Sequence, residues 1–147
     1  VAHVKATAER TVSAEKQKVY EFISDFREKH PRILTEAFAD YAVEEGGKGA
    51  GTLVRYRLRA GRERPFRMRV EEPEPGSTLK ESDEDSSFTT TWRLFPQGED
   101  RTRVRVVVEW NGARGVAGFF ERLFAPAGIR RVYEGVLERL DEVVREG

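Results

Sequence analysis

Residues 52–60 read TLVRYRLRA and residues 66–70 read FRMRV, and from Val54 and from Phe66 apolar side chains alternate with arginines. Val54, Tyr56 and Leu58 fall on one side, and Arg55, Arg57 and Arg59 on the other. After a turn at Gly61, Phe66, Met68 and Val70 alternate with Arg67 and Arg69. Period two in adjacent runs predicts an antiparallel hairpin with one buried and one solvated face. The same period returns downstream, across turns at Pro73–Gly76 and Pro96–Asp100. A short strand at Thr78–Asp83 is followed by Phe88, Thr90, Trp92 and Leu94 as one inward set, and Val104, Val106, Val108 and Trp110 as the next. Upstream, residues 3–12 and 38–45 read as further strands. An apolar face this wide needs a cover.

Two segments switch to helical spacing and supply it. Ser13 is a candidate N-cap for a four-turn amphipathic helix over Ala14–Lys29, carrying Val19, Tyr20, Phe22, Ile23 and Phe26. Pro31 ends that helix or opens a short second one bearing Ile33 and Leu34. After Asn111-Gly112, an apolar stripe runs through Val116, Phe119, Phe120, Leu123 and Phe124. Ile129, Val132, Tyr133, Val136, Leu137, Leu140, Val143 and Val144 extend it to the C-terminus. Pro126 and Gly128 predict a kink or a helix–turn–helix between the halves. The fold class is α+β: a curved antiparallel sheet of about seven strands wrapped around a long C-terminal helix, with two short helices after the first strand. Residues 1–147 read as a single domain. A helix is about 10–12 Å across, narrower than such a sheet, so part of the inner face is left for a ligand. Ala117, Gly118, Ala125, Ala127 and Gly128 leave further room, unless Tyr56, Phe66, Phe88, Trp92 and Trp110 fill it.

Composition narrows the partners. The 147 residues carry 26 basic and 26 acidic side chains, so the formal charge is zero and nonspecific nucleic-acid binding is disfavoured. The absence of cysteine excludes disulfides, thiolate metal sites and a cysteine nucleophile, and two histidines, His3 and His30, are too few for a multi-histidine zinc site. No motif calls for a metal or cofactor. No apolar run reaches the roughly 20 residues of a membrane span, and no signal peptide is visible, so the cytoplasm is the expected compartment. No pattern in the chain specifies an oligomeric state.

Several short motifs follow one another along the whole chain: Glu9-Arg10-Thr11-Val12-Ser13-Ala14 leading into Val19–Asp25, His30-Pro31, Gly49-Ala50-Gly51-Thr52, Glu72-Pro73 with Pro75-Gly76, and the terminal Leu137–Val144 segment. In this order they resemble the helix-grip superfamily (SRPBCC), which includes START-type lipid-transfer domains and polyketide cyclase/dehydrase-like proteins. The resemblance implies a helix-grip fold and a central cavity for apolar or aromatic molecules, which some members use for cyclisation or dehydration. It implies no particular catalytic residue.

Inward parity marks the candidate ligand-binding residues: Val54, Tyr56, Leu58, Phe66, Met68, Glu81, Phe88, Thr90, Trp92, Val106, Val108 and Trp110. Phe120 and Phe124 join them from the helical stripe. Tyr56 and Thr90 offer hydroxyls to a ligand. If Leu79 points inward, so does Glu81, giving a carboxyl of raised pKa able to act as acid or base. The simpler reading places Glu81 in a solvated acidic turn with Asp83, Glu84 and Asp85. His30 reads as a solvated helix-end cation or cap, with general base as the rival role. Gly46–Gly51 reads as a flexible connection, since no Lys-Ser/Thr pair and no helix follows to make a phosphate loop. The arginine stripe reads as a solvated face partly neutralised by Glu44, Glu71 and Glu109. The expected function is binding or carriage of a small hydrophobic or aromatic molecule between sheet and helix. Its alternatives are a cyclase/dehydratase-type enzyme using Glu81, Tyr56 or His30, and an interaction module working through the arginines.

Overall fold

The alternation of residues 52–112 is realised as consecutive antiparallel strands, seen in a computed structural model that describes residues 2–112 and 124–146. In chain order the elements are β1 (Ala2–Val12), α1 (Lys16–Ser24), a 3-10 turn (His30–Ile33), β2 (Phe38–Glu45), β3 (Leu53–Ala60), β4 (Arg62–Glu74), β5 (Thr78–Asp83), β6 (Thr89–Pro96), β7 (Thr102–Gly112) and α2 (Pro126–Glu146). They build a seven-stranded sheet ordered β1-β7-β6-β5-β4-β3-β2. The strands from β2 to β7 form a meander, and β1 closes the far edge against β7. Register breaks within β2, and between Glu71 and Glu74 of β4, bend the sheet. Asp40, at the β2 irregularity, adopts a positive φ of 55°.

The inner face is apolar as its parity requires: Val54, Tyr56, Leu58, Phe66, Met68 and Val70 are all buried, as are Leu79, Trp92, Val104 and Val106. α2 lies against β1, β3, β7 and the 3-10 turn, burying Ile129, Tyr133, Val136, Leu137, Leu140, Val143 and Val144. Val132 is half-buried. A buried polar residue on this stripe, Asp141, pins the helix to the β1–α1 corner. Its carboxylate accepts the Ser13 backbone N–H at 3.1 Å and the guanidinium groups of Arg10 at 3.3 Å and Arg145 at 3.0 Å.

Three local expectations are corrected. α1 has nine residues and stops at Ser24, well short of Lys29. Asp25 ends it, because its Oδ1 accepts the backbone N–H groups of Arg27 and Glu28, both at 3.2 Å, and so starts a new turn. Ser13 is not the N-cap; Glu15 occupies that position without a side-chain bond, while Ser13 is engaged with Asp141. Of the kink or helix–turn–helix expected here, the kink is absent: Pro126 begins α2, where proline's missing N–H costs nothing and its fixed φ suits the helix, and the segment before it that a helix–turn–helix would need, 113–123, lies outside the described residues. The apolar positions Val116, Phe119, Phe120 and Leu123, with Ala117 and Gly118, lie outside the described residues. Of the two short helices expected after β1, the second is the four-residue 3-10 turn.

Candidate functional site

Strand pairing places the inward aromatic residues side by side. Phe66 on β4 stacks on Phe88 with ring centroids 4.3 Å apart, and Phe88 stacks on Trp110 at 5.7 Å. Phe124, just before α2, closes on Phe66 at 6.1 Å. A second group crosses from sheet to helix: Phe38 meets Tyr56 at 5.1 Å and Tyr133 at 5.9 Å, and Trp92 meets Tyr133 at 6.0 Å. Every sequence-derived candidate except Phe120 is buried on this inner face, including Thr90, Val106 and Val108. Phe120 lies outside the described residues. Trp110, although near a strand end, stands inside the core.

Glu81 lies among these rings. It is 2 % exposed, so the solvated acidic turn is not where it sits; strand parity carries it inward between Leu79 and Asp83. Trp92 Nε1 donates to Glu81 Oε2 at 2.8 Å. Burial pushes its carboxyl up to about 7, and the Trp92 bond only partly offsets this. Three tyrosines sense its charge. Burial, with Glu81 adding to it, raises the hydroxyls of Tyr41 and Tyr133 well above the usual tyrosine range. Tyr56 is raised by burial first, then by Tyr133 and Glu81. Tyr133 Oη lies 3.5 Å from Thr90 Oγ1. The buried Tyr56 hydroxyl lies beside that of Tyr133, and the two share a loose hydrogen bond that falls short of good geometry. A buried hydroxyl so weakly satisfied can offer a polar contact to a guest.

His30 is equally interior, which corrects its reading as a solvated cation. Only 3 % exposed, it stacks on Phe26 at 4.3 Å and presents an edge to Trp92 at 5.7 Å. Its Nδ1 lies 2.7 Å from the Ile23 carbonyl, an acceptor, so Nδ1 carries the proton. Burial lowers its pKa to about 4, against the opposing pull of that carbonyl and of Asp25. At neutral pH it is an uncharged wall of the site and does not act as a cation.

An open cleft of about 700 Å³ lies between the start of α2, the β3–β4 turn and the segment before β2. Its lining includes Ala37, Ala60, Gly61, Ala125, Ala127, Gly128, Val132 and Gly135, with Thr35, Glu36, Arg59 and Arg131. Small residues on α2 are the sequence signal for it; the contribution of Thr35–Ala37 has none, because those residues follow no period. None of the sequence-derived candidates lines it.

The glycine loop is tied down, correcting its reading as flexible. Phe26 N–H donates to Gly47 O at 2.8 Å, Gly49 N–H to Ser24 O at 2.9 Å, and the Arg27 guanidinium to Gly46 O at 2.7 Å. Gly49 has φ +61°, and a Cβ there would collide with the Glu72 carboxylate. Glu72 in turn accepts Ala50 N–H at 2.8 Å and Tyr20 Oη–H at 2.7 Å, binding loop to α1.

On the outer face the arginines are compensated. Arg67 bonds Glu44 at 3.0 Å, Arg57 bonds Glu63 at 2.8 Å, and Arg69 reaches both Glu45 and Glu84 at 3.1 Å. Arg105 bonds Glu9 at 2.7 Å. Of the neutralising partners expected, Glu44 serves, whereas Glu109 engages His3 at 2.8 Å. Charge reversal at Arg57 and Arg69 is expected to leave binding of an apolar probe unchanged and to move the Tm only slightly, because exposed pairs contribute little. Collapse of probe binding in that variant would place the sheet's two faces the other way round.

Among the described residues no helix is long and apolar enough to cross a membrane. The solution structure of KanY protein matches with 37% identity over 99% of both chains and a TM-score of 0.85. A START superfamily protein from Mycobacterium smegmatis matches at 18% identity over 99% of each chain, with a TM-score of 0.69. A norcoclaurine synthase point mutant from Thalictrum flavum, in complex with a transition-state analogue, matches at 15% identity over 99% of this chain and 96% of that one, with a TM-score of 0.73. The last two share the fold alone. No curated protein matches the chain. A family model described as polyketide cyclase / dehydrase and lipid transport covers residues 3–145, and the chain belongs to that family, within the helix-grip superfamily.

Proposed function

We propose that the chain, acting as one domain over residues 1–147, is a cytoplasmic protein that holds a small apolar or aromatic molecule between the sheet and α2. The observation that most supports this reading is the makeup of the inner face. Aromatic side chains on the inner face carry a few polar groups among them, Glu81, Tyr56, Thr90 and Tyr133, the composition of a small-molecule site. In this reading Val54, Leu58, Met68, Val106 and Val108 supply apolar lining, and Trp92 and Trp110 report occupancy. Titration with a fluorescent hydrophobic probe is expected to change tryptophan emission saturably, with Trp92→Phe losing part of the change. Val108→Trp fills the interior and weakens binding while the circular dichroism spectrum stays that of the parent. A chain that binds no apolar probe at all contradicts the proposal.

A cyclase- or dehydratase-type activity is the second reading, and Glu81 is the specific reason for it. A carboxyl whose pKa is near 7 is suited to both giving and taking a proton at neutral pH. Tyr56 is the adjacent hydrogen-bond donor for a substrate carbonyl. In a polyketide-like substrate turned over by this protein, Glu81→Gln removes the reaction and leaves binding intact. The arginine face has no comparable support, since its charges are already paired.

A further inference from the structure

The charge compensation of the outer face has a gap where β6, β7 and β1 run side by side. There Glu9 is shared by Arg105 at 2.7 Å and Arg103 at 3.6 Å, and nothing is left for Arg93. Arg93 stands directly opposite Arg105 in the β6–β7 register, an arrangement in which like charges repel. Neither Arg93 nor Lys5 makes an ion pair or a side-chain hydrogen bond among the described residues. These cations surround a hollow of about 490 Å³. Its floor is one row across three strands, Thr91 opposite Val107 and Val107 opposite Thr7. Thr91 faces outward by parity yet is only 8 % exposed, and its hydroxyl has no hydrogen-bond partner among the described residues. A hydroxyl so enclosed is normally paired. Arg105 is already fixed in place, because Glu9 holds its Nε and its guanidinium lies over the Phe95 ring at 5.1 Å. Glu109 is the one carboxylate in the lining, and His3 Nε2 occupies its Oε1 at 2.8 Å.

We propose that this outer hollow binds a phosphate group, with Arg93, Arg105 and Lys5 supplying the positive charge and the hydroxyls of Thr91 and Thr7 donating hydrogen bonds. At neutral pH such a group carries about 1.5 to 2 negative charges and three strong acceptor oxygens. The two uncommitted cations, Arg93 and Lys5, match that charge, and a pair of guanidinium forks suits oxygens set around one centre. A guest of this charge also relieves the repulsion between Arg93 and Arg105. The half-buried Val107 offers an apolar surface to an organic body carried by the phosphate. The site lies on the opposite face of the sheet from the aromatic interior and is independent of what the interior holds.

Nuclear magnetic resonance titration of the labelled full chain with phenyl phosphate and with inorganic phosphate tests this, at an ionic strength held constant with sodium chloride. The backbone amides of Thr7, Thr91, Arg93 and Val107 are expected to shift saturably, with a Kd of about 1 mM or tighter for the better of the two. Tighter binding of phenyl phosphate identifies an ester as the guest, and tighter binding of the inorganic ion identifies free phosphate; either order supports the site. Arg93→Gln is expected to weaken binding by about fivefold or more, and Thr91→Val by about two- to threefold. Arg57→Gln, at an arginine paired elsewhere on the same face, leaves it unchanged. Amide spectra of the variants that otherwise match the parent's show that the fold is intact. Shifts that fail to saturate by about 20 mM, that spread equally over the arginines of β3 and β4, or that persist undiminished in Arg93→Gln overturn the proposal. None of these results touches the interior reading, which the hydrophobic-probe titration tests separately.

Discussion

Replacing Leu137 with alanine is expected to destabilise the protein by about 2–5 kcal/mol, the range for removing a buried leucine side chain. Leu137 is 1 % exposed and sits midway along α2, flanked on the same stripe by Tyr133, Leu140 and Val144. The surface beneath it is a hydrogen-bonded sheet, which cannot move inward to close the gap left behind. Both the transfer term and the cavity term therefore persist. Urea unfolding measures the loss, with the neighbouring exposed Glu138→Ala as the control, expected to lie within about 0.5 kcal/mol of the parent. A change at Leu137 no larger than that of the control would remove the stripe from the core.

The second large effect is a pH dependence in which two buried groups oppose one another. Glu81 rises from an ordinary 4.5 to about 7 on folding, so between these values the folded state holds a proton that the unfolded state has released. Stability then falls as pH rises through that window, by about 3 kcal/mol in all at 1.36 kcal/mol per unit. His30 falls from 6.5 to about 4, so over that range the unfolded state is the one that binds the proton. Its contribution has the other sign: stability climbs by about 3 kcal/mol as pH rises from about 4 to 6.5. Where the windows overlap the slopes cancel, and the parent is expected to be nearly flat before weakening as Glu81 finishes ionising. Glu81→Gln should expose the His30 limb alone, rising from acid pH and then level. Denaturation midpoints across that pH range check this, and an unchanged profile in Glu81→Gln would show that the carboxyl is not held neutral by burial.

The strands were legible because their signal is local and repeated. Each inward residue from Val54 to Trp110 follows from parity within its own run, and hydrogen-bonded neighbours then align the runs. Glu81 was legible for the same reason, yet a run of acids after it suggested solvent, and only the Trp92 bond and the facing rings show why a carboxyl tolerates that position. His30 was obscured by its neighbour Pro31. Its burial depends on Phe26, four residues earlier and stacked on it, and on Trp92, brought from a distant strand. Asp25 stops α1 through side-chain bonds to the next turn, an effect that apolar spacing does not register. The cleft is assembled from three separate segments, and of these α2 alone announces itself, through its small residues.

The position of β1 has a consequence for how the chain is made. β1 pairs along its length with β7, Ala2 opposite Gly112 and Val12 opposite Thr102, whereas every other strand pairs with the one adjacent in sequence. At a ribosomal rate of about 5–20 residues per second, on the order of 100 residues separate the two strands, so β1 waits for several seconds with no partner. Its composition suits that wait. The face it will bury is built largely of small groups, Ala6 and Ala8, with Val12 at the end, while Lys5, Thr7, Glu9 and Thr11 project from the other. Charged, weakly adhesive strands resist pairing with the wrong neighbour. β1 is thus among the strands of this sheet least able to aggregate before β7 arrives.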